Sequence, residues 1–296
     1  MSAQRGEPRR RAVSSRGSAS QRGARVLLLD VGNSRLKWAL LRGTYRRGKR
    51  FAASGALELD ALRGDGTLQR LLRLLGPDLR LQVCNVAGAR VERQLRALAR
   101  RAGLRAPQFV HSARASAGVR NAYSEPWRLG VDRWVSLIGA RFEHPEQALC
   151  IVAAGTAVTI DLLDAEGRHR GGTIIPGPQL MVESLLEHTA GIRRRAGRRI
   201  WAQEYAGGRA GLFAHDTRAA LLGGARHAAA ALIAQARRCA RELLGTTPRL
   251  LLAGGAAAAI SPLLNLRHQR AEDLALRGLA VLWTLGSARH RARAKG

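Results

Sequence analysis

Two stretches of this chain, 26–40 and 149–163, follow the same plan, and that repetition limits the folds open to it. Each begins with a short apolar run typical of a buried strand, passes through a turn of small and polar residues, and returns as a strand of alternating character. Helices and strands then alternate. The pattern predicts an internally duplicated α/β protein with a ligand cleft between its halves.

The predicted elements define two halves. In the first half, 26–143, we expect strands at 26–31, 35–41, 50–57, 80–87 and 107–111, helices at 66–76, 90–102 and 131–142, and a loop at 115–130. In the second, 144–290, we expect strands at 149–156, 157–163, 168–175 and 249–253, and helices at 178–189, 215–243 and 271–286. Residues 1–25 are rich in arginine, serine and glycine with almost no apolar content, which predicts a disordered basic tail.

The first turn carries groups suited to a phosphate tail and its metal. Asp30, at the end of the apolar run, is a hard oxygen donor that suits Mg²⁺. Asn33 and Ser34 can donate hydrogen bonds. Gly32 is expected to allow close approach of the backbone and a positive φ. An ordinary hairpin with an Asx-type turn explains this segment equally well.

Two later turns repeat this chemistry. Gly155, Thr156 and Ala157 follow an apolar strand, and the Gly254–Gly255 pair lies between a strand and a helix of small residues. A helix N-terminus with bare glycines can approach a nucleotide closely. Each turn alone is weak evidence, but three such turns together favour nucleotide binding.

Asp132 and Arg133 are the candidates for reaction chemistry. They follow Gly130 at a predicted helix start. Phosphoryl transfer to an alcohol needs a carboxylate within reach of the hydroxyl, and an arginine beside it can bind a carboxylate or steady phosphate charge. The alternative is a helix N-terminal carboxylate that only stabilises the helix dipole.

The formal charge of +29 over 296 residues invites a nucleic-acid interpretation, but other features argue against it. The arginines are spread along the chain, as a compositional bias would place them. Aromatic residues make up only 4%, too few for a base-stacking platform. The electrostatic field of this net positive charge still favours small anionic substrates.

Several classes of protein are not expected. No apolar run approaches the length of a membrane span, and the first residues lack the apolar segment of a secretory signal. Three distant cysteines with no CxxC pair predict neither disulfides nor a zinc site. We therefore expect a cytoplasmic protein without a membrane partner.

Taken together, these residues resemble the type III pantothenate kinases of the acetate and sugar kinase/Hsp70/actin superfamily. The resemblance runs from about residue 26 to 285, and its motifs are DVGNS (30–34), GVDR (130–133), GTAVT (155–159), GGTIIPG (171–177) and AGG (253–255). It implies duplicated ribonuclease H-like (actin-like ATPase) domains with a nucleotide cleft between them.

The resemblance also implies roles for individual residues. ATP phosphates would contact a loop and one threonine, namely Asp30, Val31, Gly32, Asn33, Ser34, Arg35, Leu36, Lys37 and Thr156, with Asp30 near Mg²⁺. Asp132 would take the proton from pantothenate. The substrate would be held by Tyr123, Gly130, Val131, Asp132, Arg133 and Thr217. Family members are homodimers, and Thr217 would come from the partner subunit.

One position departs from the family pattern. Many members have an aspartate three residues before the threonine of the GTA turn, which binds K⁺ or NH₄⁺, but here the position is Ala153. A methyl group cannot ligate a cation. Either the enzyme works without the cation, or another group supplies it, or activity is reduced. Asp161 lies on the next predicted strand, but its spacing is wrong for a simple replacement.

The resulting prediction is ATP-dependent phosphorylation of pantothenate, the first step towards coenzyme A. One rival is a kinase for another small alcohol in the same cleft. The other is a catalytically weak homologue that acts as a transcriptional accessory factor, which the charge could suit.

Overall fold

The computed structural model describes residues 25–59, 66–196 and 211–293. Its first half contains β1 (Arg25–Val31), β2 (Arg35–Arg42), β3 (Ala53–Glu58), α1 (Thr67–Leu75), β4 (Arg80–Asn85), α2 (Ala89–Arg101), β5 (Gln108–Phe109), β6 (Ala115–Ser116), β7 (Val119–Arg120) and α3 (Val131–Glu143). The predicted tail falls on residues outside the described ranges, except Arg25, which is the first residue of β1.

The second half begins with a three-stranded meander. It contains β8 (Leu149–Ala154), β9 (Ala157–Leu163), β10 (His169–Pro176), α4 (Pro178–His188), α5 (Ala190–Ala196), α6 (Thr217–Leu244), β11 (Arg249–Ala253), α7 (Ala257–Ile260), β12 (Gln269–Arg270) and α8 (Leu274–Arg293). Within the described ranges, no helix combines the length and apolar character that crossing a bilayer requires.

The two main sheets have the same topology. One has the strand order β3-β2-β1-β4-β5, and the other has the order β10-β9-β8-β11-β12. In each, the first strand pairs antiparallel with the second and parallel with the strand that follows the first helical segment. The predicted duplication of an α/β unit is confirmed.

The central strands are buried on both faces, which explains their continuous apolar runs. In β1, Val26 and Leu28 face a core that also includes α3 and α8, whereas Leu27 and Leu29 face the helices α1 and α2. In β8, Ile151 joins the same central core from the other sheet. Helices α3 and α8 therefore lie in a layer shared by both sheets.

Two glycines allow α3 and α8 to cross at very short range. A Cβ built on Gly139 of α3 would lie 2.2 Å from the carbonyl oxygen of Leu274, and one on Gly278 of α8 would lie 1.8 Å from that of Val135. The backbones are thus in direct contact. This crossing fixes the start of α3, which carries the GVDR motif.

Several short elements were not predicted. The predicted loop at 115–130 contains the hairpin β6–β7, whose turn places Ala117 and Gly118 at positive φ. The elements α5 and β12 were also missed, because each is too short for a periodic pattern, whereas α7 is the helix of small residues expected after Gly255. Helix α8, which belongs to the second half of the sequence, packs against β1, β2 and β4 of the first half. The division of the chain into two domains between residues 143 and 144 therefore stays a prediction.

Candidate functional site

The first turn is open to solvent at its tip and anchored at both ends. Asn33 and Ser34 are exposed, whereas Val31 and Leu36 are buried in the core, so the latter two can reach a ligand only through their backbone. The amide of Gly32 donates to the Arg35 carbonyl at 2.9 Å. Gly32 is not in the left-handed region, so the expected positive φ is wrong: this closure needs no left-handed residue.

The second turn faces the first across the cleft. The hydroxyl oxygens of Ser34 and Thr156 lie 3.2 Å apart, a hydrogen-bond distance between residues from different halves. The amide of Gly155 donates to the Ala157 carbonyl at 2.9 Å, which closes this turn much as Gly32 closes the first. The structure therefore brings the first two of the three turns found in the sequence into direct contact.

The third turn and the end of the GGTIIPG segment pack against the second turn. Gly254 has φ +97°, and a Cβ there would lie 2.1 Å from the carbonyl oxygen of Ala154. A Cβ on Gly177 would lie 2.1 Å from that of Gly155. Glycine is required at both places because the obstacle is backbone, which cannot move aside.

The negative charge of Asp132 acts on Asp30. Burial and, to a smaller extent, the charge of Asp132 together raise the pKa of Asp30 to about 6, although Lys37 opposes the rise. The Cys84 thiol donates a hydrogen bond to Asp30. The two acidic side chains, from distant parts of the sequence, are therefore close enough for one charge to affect the other.

The Asp132 carboxylate is held by the first turn of α3. Its Oδ1 accepts a hydrogen bond from the backbone amide of Arg133 at 2.8 Å. A Cβ on Gly130 would lie 2.7 Å from the same oxygen, so glycine leaves the space that the carboxylate occupies. Burial raises the pKa of Asp132, although the amide and guanidinium of Arg133 oppose the rise.

Arg133 is buried and already has protein partners. Its Nε and Nη2 donate to Asp161 at 2.9 and 2.6 Å, and its Nη1 donates to the Tyr123 hydroxyl at 3.1 Å. Burial would raise the pKa of Asp161, but hydrogen bonds from His169 and Arg133 hold it below its ordinary value. The structure thus joins two predicted site residues, Tyr123 and Arg133, through contacts the sequence did not indicate.

Thr217 lies in a different groove. It is the first residue of α6, after Asp216, whose carboxylate accepts from the Ala219 amide at 2.8 Å. The groove has a volume of about 430 Å³ and lies between α4, α5 and α6. Its lining is almost entirely apolar and includes Met181 and Leu221.

The residues at the usual cation position do not suit a monovalent cation. Ala153 lies inside the sheet, paired with Thr159 of β9 and Ala253 of β11, and offers only a methyl group. The carboxylate of Asp161, on the next strand, is taken by Arg133 and His169. In the described ranges, no group of three or more histidine, cysteine, aspartate and glutamate side chains is arranged to hold a metal ion.

Four residues near the site were missed by the sequence analysis: Cys84, Asp161, His169 and Asp273. Asp273, just before α8, has φ +57° and adds to the negative field that raises the pKa of Asp30. Asp161 was weighed only as a cation ligand. The one available signal was a lone aspartate in the apolar strand β9, which needs a buried partner.

Comparisons with known proteins agree on one family. Residues 26–238 match the sequence model described as type III pantothenate kinase. A type III pantothenate kinase of Nitrosococcus oceani is 39% identical over 264 residues, covering 86% of this chain and 92% of the relative. One from Aromatoleum aromaticum is 40% identical over 262 residues, covering 87% and 97%.

Solved structures with the same fold are more distant. A putative Baf family transcriptional activator from Campylobacter jejuni has a TM-score of 0.50 at 17% identity, covering 89% of this chain and 99% of that one. Component A of the (R)-2-hydroxyglutaryl-CoA dehydratase of Acidaminococcus fermentans also reaches 0.50, at 12% identity, covering 90% and 100%. At these identities the likeness shows the fold alone.

Proposed function

This chain belongs to the type III pantothenate kinase family, and we propose that it carries out the family's reaction in the cleft between its two halves. It is an enzyme that transfers the γ-phosphoryl group of ATP to pantothenate, giving 4′-phosphopantothenate at the first step of coenzyme A synthesis. The observation that carries our assignment of the site is that Asp132 lies close enough to Asp30 for its negative charge to raise the pKa of Asp30.

We assign the ATP phosphates to the first turn, with Thr156 closing on them from the other half. The first-turn residues are Asp30, Val31, Gly32, Asn33, Ser34, Arg35, Leu36 and Lys37. Mg²⁺ commonly keeps several waters and takes one or two carboxylates besides phosphate oxygens, and the single carboxylate of Asp30 fits that need. When bound, Mg²⁺ supplies charge neutralisation on the phosphates.

We assign the acceptor to the start of α3. Asp132 takes the proton of the primary alcohol as its oxygen bonds to the γ-phosphorus and ADP leaves. A pKa raised by burial makes Asp132 a better base than an exposed aspartate. Gly130, Val131, Arg133 and Tyr123 surround this position and orient the substrate.

We propose that turnover does not depend on K⁺ or NH₄⁺. The support is the chemistry at position 153, where alanine offers no side-chain oxygen, together with the engagement of Asp161 in an ion pair. Among the described residues, neither of these two side chains is therefore available to a monovalent cation.

We propose a homodimer in which the groove between α4, α5 and α6 meets a second copy. Its lining is apolar apart from Thr217 and includes Leu185, whose side chain is 42% exposed. Apolar surface of this kind is stabilised when another subunit covers it. Sedimentation at micromolar protein would give the mass of a dimer, and a monomer mass would contradict the proposal.

We place the reaction in the cytoplasm, where ATP is the common phosphoryl donor. Cys84, Cys150 and Cys239 are free thiols, as a reducing compartment maintains them. We do not propose nucleic acid as a partner, because a protein that only binds nucleic acid needs neither a general base nor a loop for ATP phosphates.

The experiment that tests the function is an acceptor panel. Purified protein with Mg²⁺ and ATP should release ADP when pantothenate is added, and much less with pantoate, glycerate or glucose. The expected order of kcat/KM puts pantothenate first, because pantothenate is the acceptor of the family to which this chain belongs. A higher kcat/KM for another alcohol would assign the cleft to a different substrate.

A further inference from the structure

A buried network of four side chains lies behind the acceptor site, and we call it the Arg133 cluster: Arg133, Asp161, His169 and Tyr123. Its members come from α3, β9, β10 and the loop before α3, so the cluster joins three elements and a loop. Arg133, Asp161 and His169 are at most 6% exposed. Buried polar groups that lie this close together need hydrogen bonds to one another.

Asp161 is the hub of the cluster. Its two carboxylate oxygens receive the Nε and Nη2 donors of Arg133, a bidentate pairing that fixes the plane of the guanidinium. Oδ1 also receives His169 Nε2 at 2.9 Å. Asp161 therefore sets the direction of two neighbouring side chains at once.

His169 transmits this orientation to Tyr123. His169 Nε2 donates to the carboxylate, and Nδ1 has no hydrogen-bond partner among the described residues. The imidazole stacks on the Tyr123 ring with centroids 6.0 Å apart and planes at 16°. The Tyr123 hydroxyl in turn accepts from Arg133.

Gly172 of β10 packs closely against the Arg133 cluster. A Cβ built on Gly172 of β10 would lie 2.5 Å from Arg133 Nη2, from Asp161 Oδ1 and from the Ile160 carbonyl oxygen. The glycine of the GGTIIPG segment therefore makes space for the ion pair. A site built this way is preorganised before a ligand arrives.

Arg133 keeps free donors in this arrangement. A guanidinium has five N–H groups, and the contacts with Asp161 and Tyr123 use three of them. The two that remain are on the Nη atoms. Since Asp161 holds the Nε edge, these donors are presented in one direction.

We propose that Asp161 is a positioning residue for the acceptor: it fixes the guanidinium of Arg133, and through His169 the ring of Tyr123, in the orientation that receives pantothenate. This inference rests on the proposed placement of the acceptor beside Asp132 and Arg133. Asp161 itself does not contact the substrate.

The test is a comparison of Asp161→Asn with Asp164→Asn. Both replace a buried carboxylate of the same β9–β10 hairpin by an amide, but Asp164 accepts from the Arg168 amide at 2.7 Å and lies near Arg170. Asp161→Asn should raise KM for pantothenate roughly tenfold or more, because the guanidinium loses its fixed plane. KM for ATP should stay within about twofold, and Asp164→Asn should change neither.

A second variant, His169→Phe, keeps the proposal testable if Asp161→Asn does not fold. His169→Phe keeps a ring next to Tyr123 but removes the hydrogen bond to Asp161, and it should raise KM for pantothenate in the same direction by a smaller factor. Thermal unfolding is measured for each variant. Equal losses for pantothenate and ATP, or an unchanged KM for pantothenate in folded protein, would overturn the proposal.

Arg133→Gln separates this inference from the proposed function. If Arg133→Gln raises KM for pantothenate and Asp161→Asn does not, the acceptor placement stands and the positioning role falls. If neither variant changes KM for pantothenate while wild type turns it over, the acceptor placement itself is wrong.

Discussion

A methyl group at position 153 decides what kind of ion can assist this enzyme. Ala153 is held within the sheet by pairing on both sides, so no side-chain oxygen from that position reaches the second turn. The nearest sequence candidate, Asp161, is committed to Arg133 and His169. At this scale, chemistry is set by single side chains and their immediate partners.

The prediction at position 153 is cation-independent turnover. Replacing K⁺ by Na⁺ or choline at constant ionic strength should leave kcat within about twofold, since no ligand set is lost. The measurement is steady-state ADP release with pantothenate in each salt. A drop of about tenfold or more without K⁺ or NH₄⁺ would mean that other groups form a cation site.

The residue scale also marks where the sequence stops being informative. Asp132 and Arg133 could be selected because a glycine precedes them at a helix start, a local pattern. The partners of Asp161 could not, because Arg133 comes from α3 and His169 from β10, and only tertiary packing brings them together. The expectation of a positive φ at Gly32 was wrong, because the amide of Gly32 closes the turn on the Arg35 carbonyl without a left-handed residue.

At the scale of elements, the crossing of α3 and α8 determines the position of Asp132, the proposed general base. Gly139 and Gly278 allow backbone contact between the two helices, and Asp132 is in the first turn of α3. A change of helix spacing would therefore shift the carboxylate relative to the first turn.

Gly278→Ala should destabilise the protein by about 2 kcal/mol or more, because the new methyl would meet the Val135 carbonyl, which is backbone. Gly286→Ala, on the same helix with nothing near its built Cβ, is the matched control and should be neutral or slightly stabilising. Urea unfolding of both variants measures the difference. Equal effects would mean that the helices are not in backbone contact.

A second contact between elements predicts a pH dependence. Glu143, at the end of α3, accepts from the Tyr45 hydroxyl and from Arg277 of α8, the latter at 3.0 Å. Burial would raise the pKa of Glu143, but these hydrogen bonds together lower it below its ordinary value of 4.5. A carboxyl with a lowered folded pKa stabilises the protein above its unfolded pKa and loses that contribution as pH falls through the folded pKa.

The free energy of unfolding of wild type should therefore exceed that of Glu143→Gln at pH 7, and the gap should narrow as the pH falls below about 4.5. Urea unfolding at a series of pH values checks this. A gap that stays constant into acid would show that the charge of Glu143 contributes nothing.

At the scale of the molecule, duplication explains both the fold and the site. The long strands were predictable because buried parallel strands have continuous apolar runs, as in β1 and β8. The hairpin β6–β7 and the short β12 were not, since two-residue strands carry no period. The meeting of Ser34 and Thr156 followed from the repeat itself, because equivalent turns of two similar halves face each other.

The same architecture places Asp30 at the end of a strand in the first sheet and Asp132 on a helix in the layer shared by both sheets. In our proposal, the carboxylate of Asp30 serves the metal and that of Asp132 serves the acceptor. Because the two residues have separate roles, we predict that replacing Asp132 leaves the binding of ATP intact.

The most direct measurement is kcat for Asp132→Asn with pantothenate, with Kd for ATP and thermal unfolding measured on the same protein. We expect kcat to fall at least ~100-fold, because general base catalysis by a positioned side chain is lost, while Kd for ATP and the melting temperature stay near wild type. Turnover within a few-fold of wild type would contradict the assignment of Asp132 and, with it, the account of the cleft.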